Sequence, residues 1–409
     1  MNQKSLNFIR ELFNEYYRRE YSPKELPFME RREFGFVMFE GFMSRHRSFK
    51  DMEELKEFLE SSTPTDAYYS CAYYENPTAE MDKKGWLGAD LIFDVDADHI
   101  PTSCDKVHDE WICGDCGFSG KGITPEKCPA CGSGKLDATT WPCDVCLTSA
   151  KEETVKLLDM LIKDFGFSNK ELRVFFSGHR GYHVHIESEL VKTLDATARK
   201  EIVDYITCLG LDMPFYYARK GVGKVPTEKS SLDNYGWCKR FNDGLVNFIL
   251  EAEEEDFVRI GLKRNIVKII MQNKDKLLKS WTKSKVWGSV KGVGFEAWKK
   301  IADYIIKTQS SKIDTVVTTD IHRLIRLPET LHGKTGFKKT ELPTSEIDAF
   351  DPFRGAIAFK KGSATVFVSD VPKFRIHDET FGPYKKQKVE LPTAAAVLLI
   401  CKNKAEVLD

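Results

Sequence analysis

Seven of the eleven cysteines in this 409-residue chain fall between residues 104 and 146, and the other four (Cys71, Cys208, Cys238, Cys401) are scattered. A disulfide framework would not cluster this way in so long a chain, whereas metal binding would. Cys113-x2-Cys116 and Cys128-x2-Cys131 form a ribbon pattern with glycine after the second cysteine of each pair. Cys104-x3-His108 and Cys143-x2-Cys146 flank it. Seven cysteines plus one histidine make eight ligands, enough for two tetrahedral zinc sites. The expected arrangement is nested: an inner site of Cys113, Cys116, Cys128 and Cys131 within an outer one of Cys104, His108, Cys143 and Cys146. Protein groups fill all four positions of each site, so neither keeps an opening for substrate and both zincs are expected to be structural. The segment 101–146 is thus a metal-held insert, and the rest of the chain must build the core around it.

On either side of the insert the pattern is mixed. Residues 1–60 look helical at both ends, with REFGFVMF (32–39) reading as a strand between them. WLGADLIFDVDAD (86–98) is an apolar strand running into acids. A helix is expected at about 149–165 with Ser149 as N-cap, followed by two short strands around a glycine turn in LRVFFSGHRGYHVHIE (172–187). Residues 188–305 are mostly helical in pattern, and KIDTVVT, GAIAFKK and ATVFVSD look strand-like. Strand-rich ends about a helical middle predict one mixed α/β (α+β) core with two insertions. The expected boundaries are 1–100, 147–190 and 306–375 for the core, 191–305 for a helical subdomain and 376–409 for a C-terminal tail.

Sixty-one Lys+Arg balance 62 Asp+Glu, a net charge of −1, so the chain has no global electrostatic footprint for nucleic acid. Its local basic stretch, Arg259 to Lys291, reads most simply as a solvated helix face. No apolar run approaches the ~18 residues of a membrane span. The N-terminus reads as an amphipathic helix and not a secretory signal. An intracellular, cytoplasmic protein is expected.

Three segments carry chemistry. In LIFDVDAD, Asp94 and Asp96 lie two apart on a strand, so both face one way and can reach divalent ions; a solvated acidic strand end is the plain alternative. In SGHRGYHVHI, Ser177, Arg180 and His183 crowd a turn with Gly178 and Gly181, a density of donors suited to phosphate. His183 and His185 share a face, which leaves a histidine–metal site as a competing idea. In IDTVVTTDIHRLIRLPETLHGKTG, an acid at a strand start, Asp314, precedes Arg326, His332 and Lys334. Far apart in sequence, each segment supplies part of a metal-plus-triphosphate site.

The chain resembles the small, catalytic subunit of the archaeal and eukaryotic DNA primase, most of all the archaeal form. The resemblance runs from REFGF near residue 33 to LHGKTG at 331–336, and its carriers are FDVD, SGHRGYH, and Asp314 leading to RLIRLPETLHGKTG. It implies the primase catalytic core with an inserted helical subdomain and a zinc element. Asp94, Asp96 and Asp314 would hold two catalytic Mg²⁺ or Mn²⁺ ions. Ser177, Arg180 and His183 would contact the triphosphate, with Arg326, His332 and Lys334 on its other side. Asp90, Glu33 and Arg45 match further positions, the last two proposed to help bind the initiating nucleotide. His179 departs from the pattern, where eukaryotic relatives have a second arginine. The implied activity is primer synthesis from NTPs or dNTPs on single-stranded DNA for replication, by two-metal nucleotidyl transfer, with an iron–sulfur large subunit as heterodimer partner. The rival readings are a primase-like repair or end-joining polymerase, a non-catalytic zinc-ribbon scaffold and a metal-dependent nuclease.

Overall fold

A computed structural model describes residues 1–210, 235–281 and 290–408. Parts of the expected helical segment 191–305 and of the basic stretch 259–291 therefore lie outside the described residues. The chain divides into two compact units: one of Met1–Val155, Ser168–Glu201 and Ile313–Asp409, the other of Lys156–Phe167 and Ile202–Lys312.

The first unit opens with α1 (Gln3–Arg19), β1 (Phe34–Val37), β2 (Met43–Arg47), α2 (Met52–Ser62), β3 (Asp66–Ser70), β4 (Ala72–Tyr74), β5 (Trp86–Ala89) and β6 (Leu91–Asp96). α1 buries Ile9, Phe13, Tyr16 and Tyr17 on one stripe and is capped by the Asn2 side chain. The metal-rich insert contributes the small sheet β7 (Glu110–Cys113), β8 (Ser119–Lys121) and β9 (Leu136–Thr139). Helix α3 follows (Asp144–Lys163), then β10 (Leu172–Phe176) and β11 (Gly181–Ile186).

Helix α3 starts at Asp144, five residues before the expected Ser149 cap. Cys143 ends the preceding turn, its sulfur accepting from Cys146 N at 3.3 Å, so the last cysteine pair sits at the helix start.

The second unit is helical. It takes the end of α3 and the second half of α4 (Ala196–Thr207), then α5 (Gly236–Glu251), α6 (Glu254–Arg259), α7 (Arg264–Gln272), α8 (Lys274–Trp281) and α9 (Phe295–Gln309). The first residues of α4 belong to the other unit, because Arg199 is buried there and donates to the Ala89 and Asp90 carbonyls at 2.8 and 2.9 Å. Phe241, Leu245 and Ile249 of α5 share one apolar cluster with Trp298, Ile301 and Ile305 of α9. Ile301→Ala removes a fully buried side chain from it, at a cost of about 2–5 kcal/mol. The expected result is faster amide exchange across α5 and α9, with protection of β6, β10 and β11 unchanged.

The chain then returns to the first unit through α10 (Thr315–Thr319), β12 (Leu324–Arg326) and β13 (Thr340–Leu342). The expected core continues through β14 (Ser363–Val371) and β15 (Phe374–Ile376), and the residues expected to be a tail, 376–409, go on into ordered structure: β16 (Glu379–Phe381), β17 (Tyr384–Pro392), helix α11 (Thr393–Cys401) and β18 (Ala405–Val407). The first eight residues of α11 are buried. KIDTVVT, expected as a strand, holds α10 instead, and GAIAFKK forms no strand beyond a single bridge from Ile357 to Phe337.

Two four-stranded antiparallel sheets frame the site, in the orders β12-β3-β1-β2 and β13-β10-β11-β6. In the second, β11 is buried at all six positions, as a central strand should be. β6 buries Leu91, Ile92, Phe93 and Val95 and leaves only Asp94 and Asp96 half-buried. Register sets His183 opposite Asp94 and Gly181 opposite Asp96.

Candidate active site

The carboxylates come first. Asp94 and Asp96 end β6, and Asp314 arrives beside them because its amide donates to the Asp94 carbonyl at 2.8 Å. Asp314 begins a helix, not a strand. One of its carboxylate oxygens accepts from Val316 N (2.9 Å) and Val317 N (3.4 Å), an N-cap that outweighs the β-branched run behind it. Burial, then Asp96 and Asp314, push the Asp94 carboxyl up to about 7. Burial also raises Asp96, against the pull of Arg180. Such mutual repulsion in a half-buried, oxygen-only donor set is what a hard divalent cation relieves. The three carboxylates do not close on a single point, however. Among the described residues only the two cysteine-rich groups bring three or more ligand atoms within 4.8 Å of one another.

The donor-rich turn lies beside this acidic end. Ser177 N donates to Gly181 O at 2.9 Å, and the Ser177 hydroxyl oxygen accepts from His179 N and Gly181 N at 3.3 and 3.2 Å. Gly178 has φ +87°, and a Cβ there would meet His332 Cβ and Phe337 O, each at 3.2 Å, so this position needs glycine. Thr335 Oγ1 donates to Gly178 O at 2.6 Å, joining the loop 331–336 to the turn. His183 Nε2 is 3.6 Å from Asp94, and its buried Nδ1 has no partner among the described residues. His185 lies deeper, between Tyr69 OH (3.2 Å) and Lys339 Nζ (3.4 Å). Both imidazoles are driven well below their usual range by burial and then Lys339. With His185 engaged in the core, the histidine–metal alternative loses one of its two ligands.

Two arginines expected to face phosphate are buried and paired. Arg180 is fully buried and ion-paired to Asp98 and to Asp109, the latter at 2.7 Å. Arg326 donates to Asp66 at 2.6 Å and to Leu331 O and Tyr68 OH at 3.3 Å. Both brace the turn and loop from behind in this structure. Their charges were legible in the sequence; their partners, distant in the chain, were not. On the loop, His332 Nδ1 accepts from Lys334 N at 3.1 Å, and the Lys334 side chain is exposed. Asp66, Asp109, Lys339 and Lys402 join the same neighbourhood, and no local pattern marks them.

Asp90, Glu33 and Arg45 are held by partners of their own. Asp90 is buried against Arg32 at 2.7 Å. Glu33 accepts from Arg45 (2.9 Å) and lies 3.1 Å from Lys84. Burial would raise Glu33, but Arg45 and Lys84 outweigh it and hold the carboxyl below its usual range.

The eight insert ligands gather into two quartets: Cys104, His108, Cys143 and Cys146, and Cys113, Cys116, Cys128 and Cys131. Ligand atoms stand 3.5 Å apart from Cys104 to His108 and 3.6 Å apart from Cys104 to Cys146, Cys113 to Cys131 and Cys116 to Cys128. These are close to the ~3.8 Å edge of a tetrahedron with ~2.3 Å metal–sulfur bonds. His108 Nδ1 lies 2.8 Å from Asp109, the carboxylate that also holds Arg180. One acid thus ties the outer quartet to the turn.

A mixed α/β core joins half-buried carboxylates to a donor-rich turn, an arrangement suited to metal-assisted phosphoryl transfer. The chain matches the family model of the DNA primase small subunit over residues 136–343. It is 33% identical over 428 residues to DNA primase small subunit PriS of Methanothrix thermoacetophila, covering the whole of both chains. It is 32% identical over 410 residues to that of Nitrosopumilus maritimus, again end to end. To that of Pyrobaculum islandicum it is 34% identical over 404 residues, covering 98% of this chain and all of the relative. The chain belongs to the DNA primase small subunit family. It carries the catalytic nucleotidyltransferase function of primase in DNA replication, which acts on DNA and nucleotides and needs divalent metals. No helix among the described residues is long and apolar enough to cross a membrane.

Proposed function

We propose that this chain makes short primers de novo on single-stranded DNA, with Asp94, Asp96 and Asp314 holding two Mg²⁺ or Mn²⁺ ions. The triphosphate lies across the 177–183 turn and the 331–336 loop. The observation that carries the reading is the junction of three remote segments by two hydrogen bonds: Asp314 N to Asp94 O, and Thr335 Oγ1 to Gly178 O. When bound, the ions supply activation of the attacking hydroxyl and charge neutralisation at the leaving pyrophosphate. The protein's own groups do the positioning. Ser177 has its oxygen occupied by two amides, which leaves its hydroxyl hydrogen for phosphate. His183, His332 and Lys334 add donors, while Arg180 and Arg326 act through the walls they brace. The base is selected by pairing with the template, so no base-reading pocket is needed. Zn²⁺ in the two quartets is structural. A large subunit bearing an iron–sulfur cluster completes the heterodimer, which fits a catalytic subunit with a net charge of only −1.

Binding of a fluorescent ribonucleoside triphosphate, with the monophosphate as control, tests the triphosphate site. Lys334→Ala should weaken the triphosphate about tenfold and the monophosphate hardly at all, the value of one exposed charge-assisted contact. Equal losses for both nucleotides would contradict this placement.

A further inference from the structure

Helix α11 is almost wholly apolar and buried, yet it ends on a buried lysine. Lys402 is 6% exposed, and its Nζ lies 3.0 Å from His179 Nε2. His179 is itself buried, with Thr140 Oγ1 at 3.2 Å from the same nitrogen. Burial, then Lys402 and His332, drive His179 well below its usual range, so the ring is neutral. A neutral imidazole has one donor and one acceptor nitrogen. An ammonium can only donate, so where Lys402 is charged Nε2 accepts and Nδ1 carries the proton. Nδ1 has no hydrogen-bond partner among the described residues.

His332 is set in the complementary way. Its Nδ1 accepts from Lys334 N, which puts the proton on Nε2. The two rings stand 5.1 Å apart, tilted by 30°. The turn and loop thus present a pair of neutral, tautomer-fixed N–H donors, one at the position where eukaryotic relatives place an arginine.

We propose that Lys402 is a positioning residue of the nucleotide site: it donates to His179 Nε2 and fixes the ring as the Nδ1–H tautomer, so that His179 donates to a phosphate oxygen without a charge of its own. The inference rests on the triphosphate placement given above. Burial, with Arg180 and Lys334, pushes the Lys402 ammonium down to about 7, and a polyanion bound at the turn favours the charged, donor-only form.

The test uses the full chain with its DNA template and measures steady-state incorporation together with histidine ¹⁵N spectra. Lys402→Met should raise KM for nucleotide about tenfold with kcat within about twofold, and Lys402→Arg should restore most of the loss, as for a lost orienting hydrogen bond. Lys334→Ala is run alongside. If it raises KM while Lys402→Met does not, the triphosphate placement stands and the role of Lys402 is overturned. If neither changes KM, the placement itself fails. The wild-type spectrum decides even if Lys402→Met does not fold. Recorded below pH 7, where Lys402 is charged, and with its signal identified by loss in His179→Asn, His179 must show a protonated Nδ1. A protonated Nε2 there overturns the proposal.

Discussion

Asp94→Asn lowers nucleotide incorporation by at least about 10³-fold, yet in the absence of divalent ions it leaves the protein more stable than the wild type above pH 7. The loss of activity follows from removing one charge from a set of three carboxylates; a cation ligand at the reacting centre is worth several kcal/mol of transition-state stabilisation. The gain in stability follows from the environment of the same group. Burial first, then Asp96 and Asp314, push Asp94 up to about 7. An unfolded aspartate titrates near ~4. Between those values the folded chain binds more protons than the unfolded chain, so stability falls as pH rises through that window. Above it the wild type bears the full cost of a buried carboxylate among like charges, and asparagine bears none. Thermal melting in chelator should place the variant a few degrees above the wild type at pH 8, with the gap closing toward about pH 4. Mn²⁺ should reverse the order, because only the wild type gains a bound ion. A variant that melts below the wild type in chelator at pH 8 would contradict the electrostatic account.

Asp109→Ala should be the most damaging single change outside the carboxylates. Asp109 is 4% exposed and accepts from Arg180 at 2.7 Å and from Trp141 N at 2.8 Å, with His108 Nδ1 also 2.8 Å away. Its removal strips a buried guanidinium of one of its two carboxylates and unpins a ligand of the outer quartet. Breaking a buried pair costs about 3–5 kcal/mol, and loss of a carboxylate behind a metal-binding histidine costs about 10–100-fold in metal affinity. Metal analysis after a mild chelator challenge should show one zinc lost per chain and the one held by Cys113, Cys116, Cys128 and Cys131 retained. Adding Arg180→Met should recover much of the stability, because the orphaned charge goes with it. No recovery would mean that the cost lies in the Trp141 and His108 contacts instead.

What the sequence made legible here was local. The two quartets were readable because their ligands lie within 43 residues, at spacings that only metal explains well. Asp94 and Asp96 were readable because strand alternation puts both on one side. Asp314 was readable as an acid ahead of Arg326, His332 and Lys334, but its element was misread: TVV favours a strand on propensity, and the aspartate cap decided for a helix. The pairing of Arg180 with Asp109 spans 71 residues and that of Arg326 with Asp66 spans 260, so no pattern in the chain announces either. TAAAVLLIC, apolar on every side, has no helical stripe to detect. The buried lysine that follows it was hidden for the same reason.

The most direct test of the account is synthesis from NTPs on single-stranded DNA without any primer, comparing wild type with Asp94→Asn, each with and without a large subunit. The wild type should give short new oligonucleotides, stimulated by the large subunit and absent in the variant. Extension of supplied primers only, with no new chains under any condition, would contradict it and favour a primase-like repair polymerase.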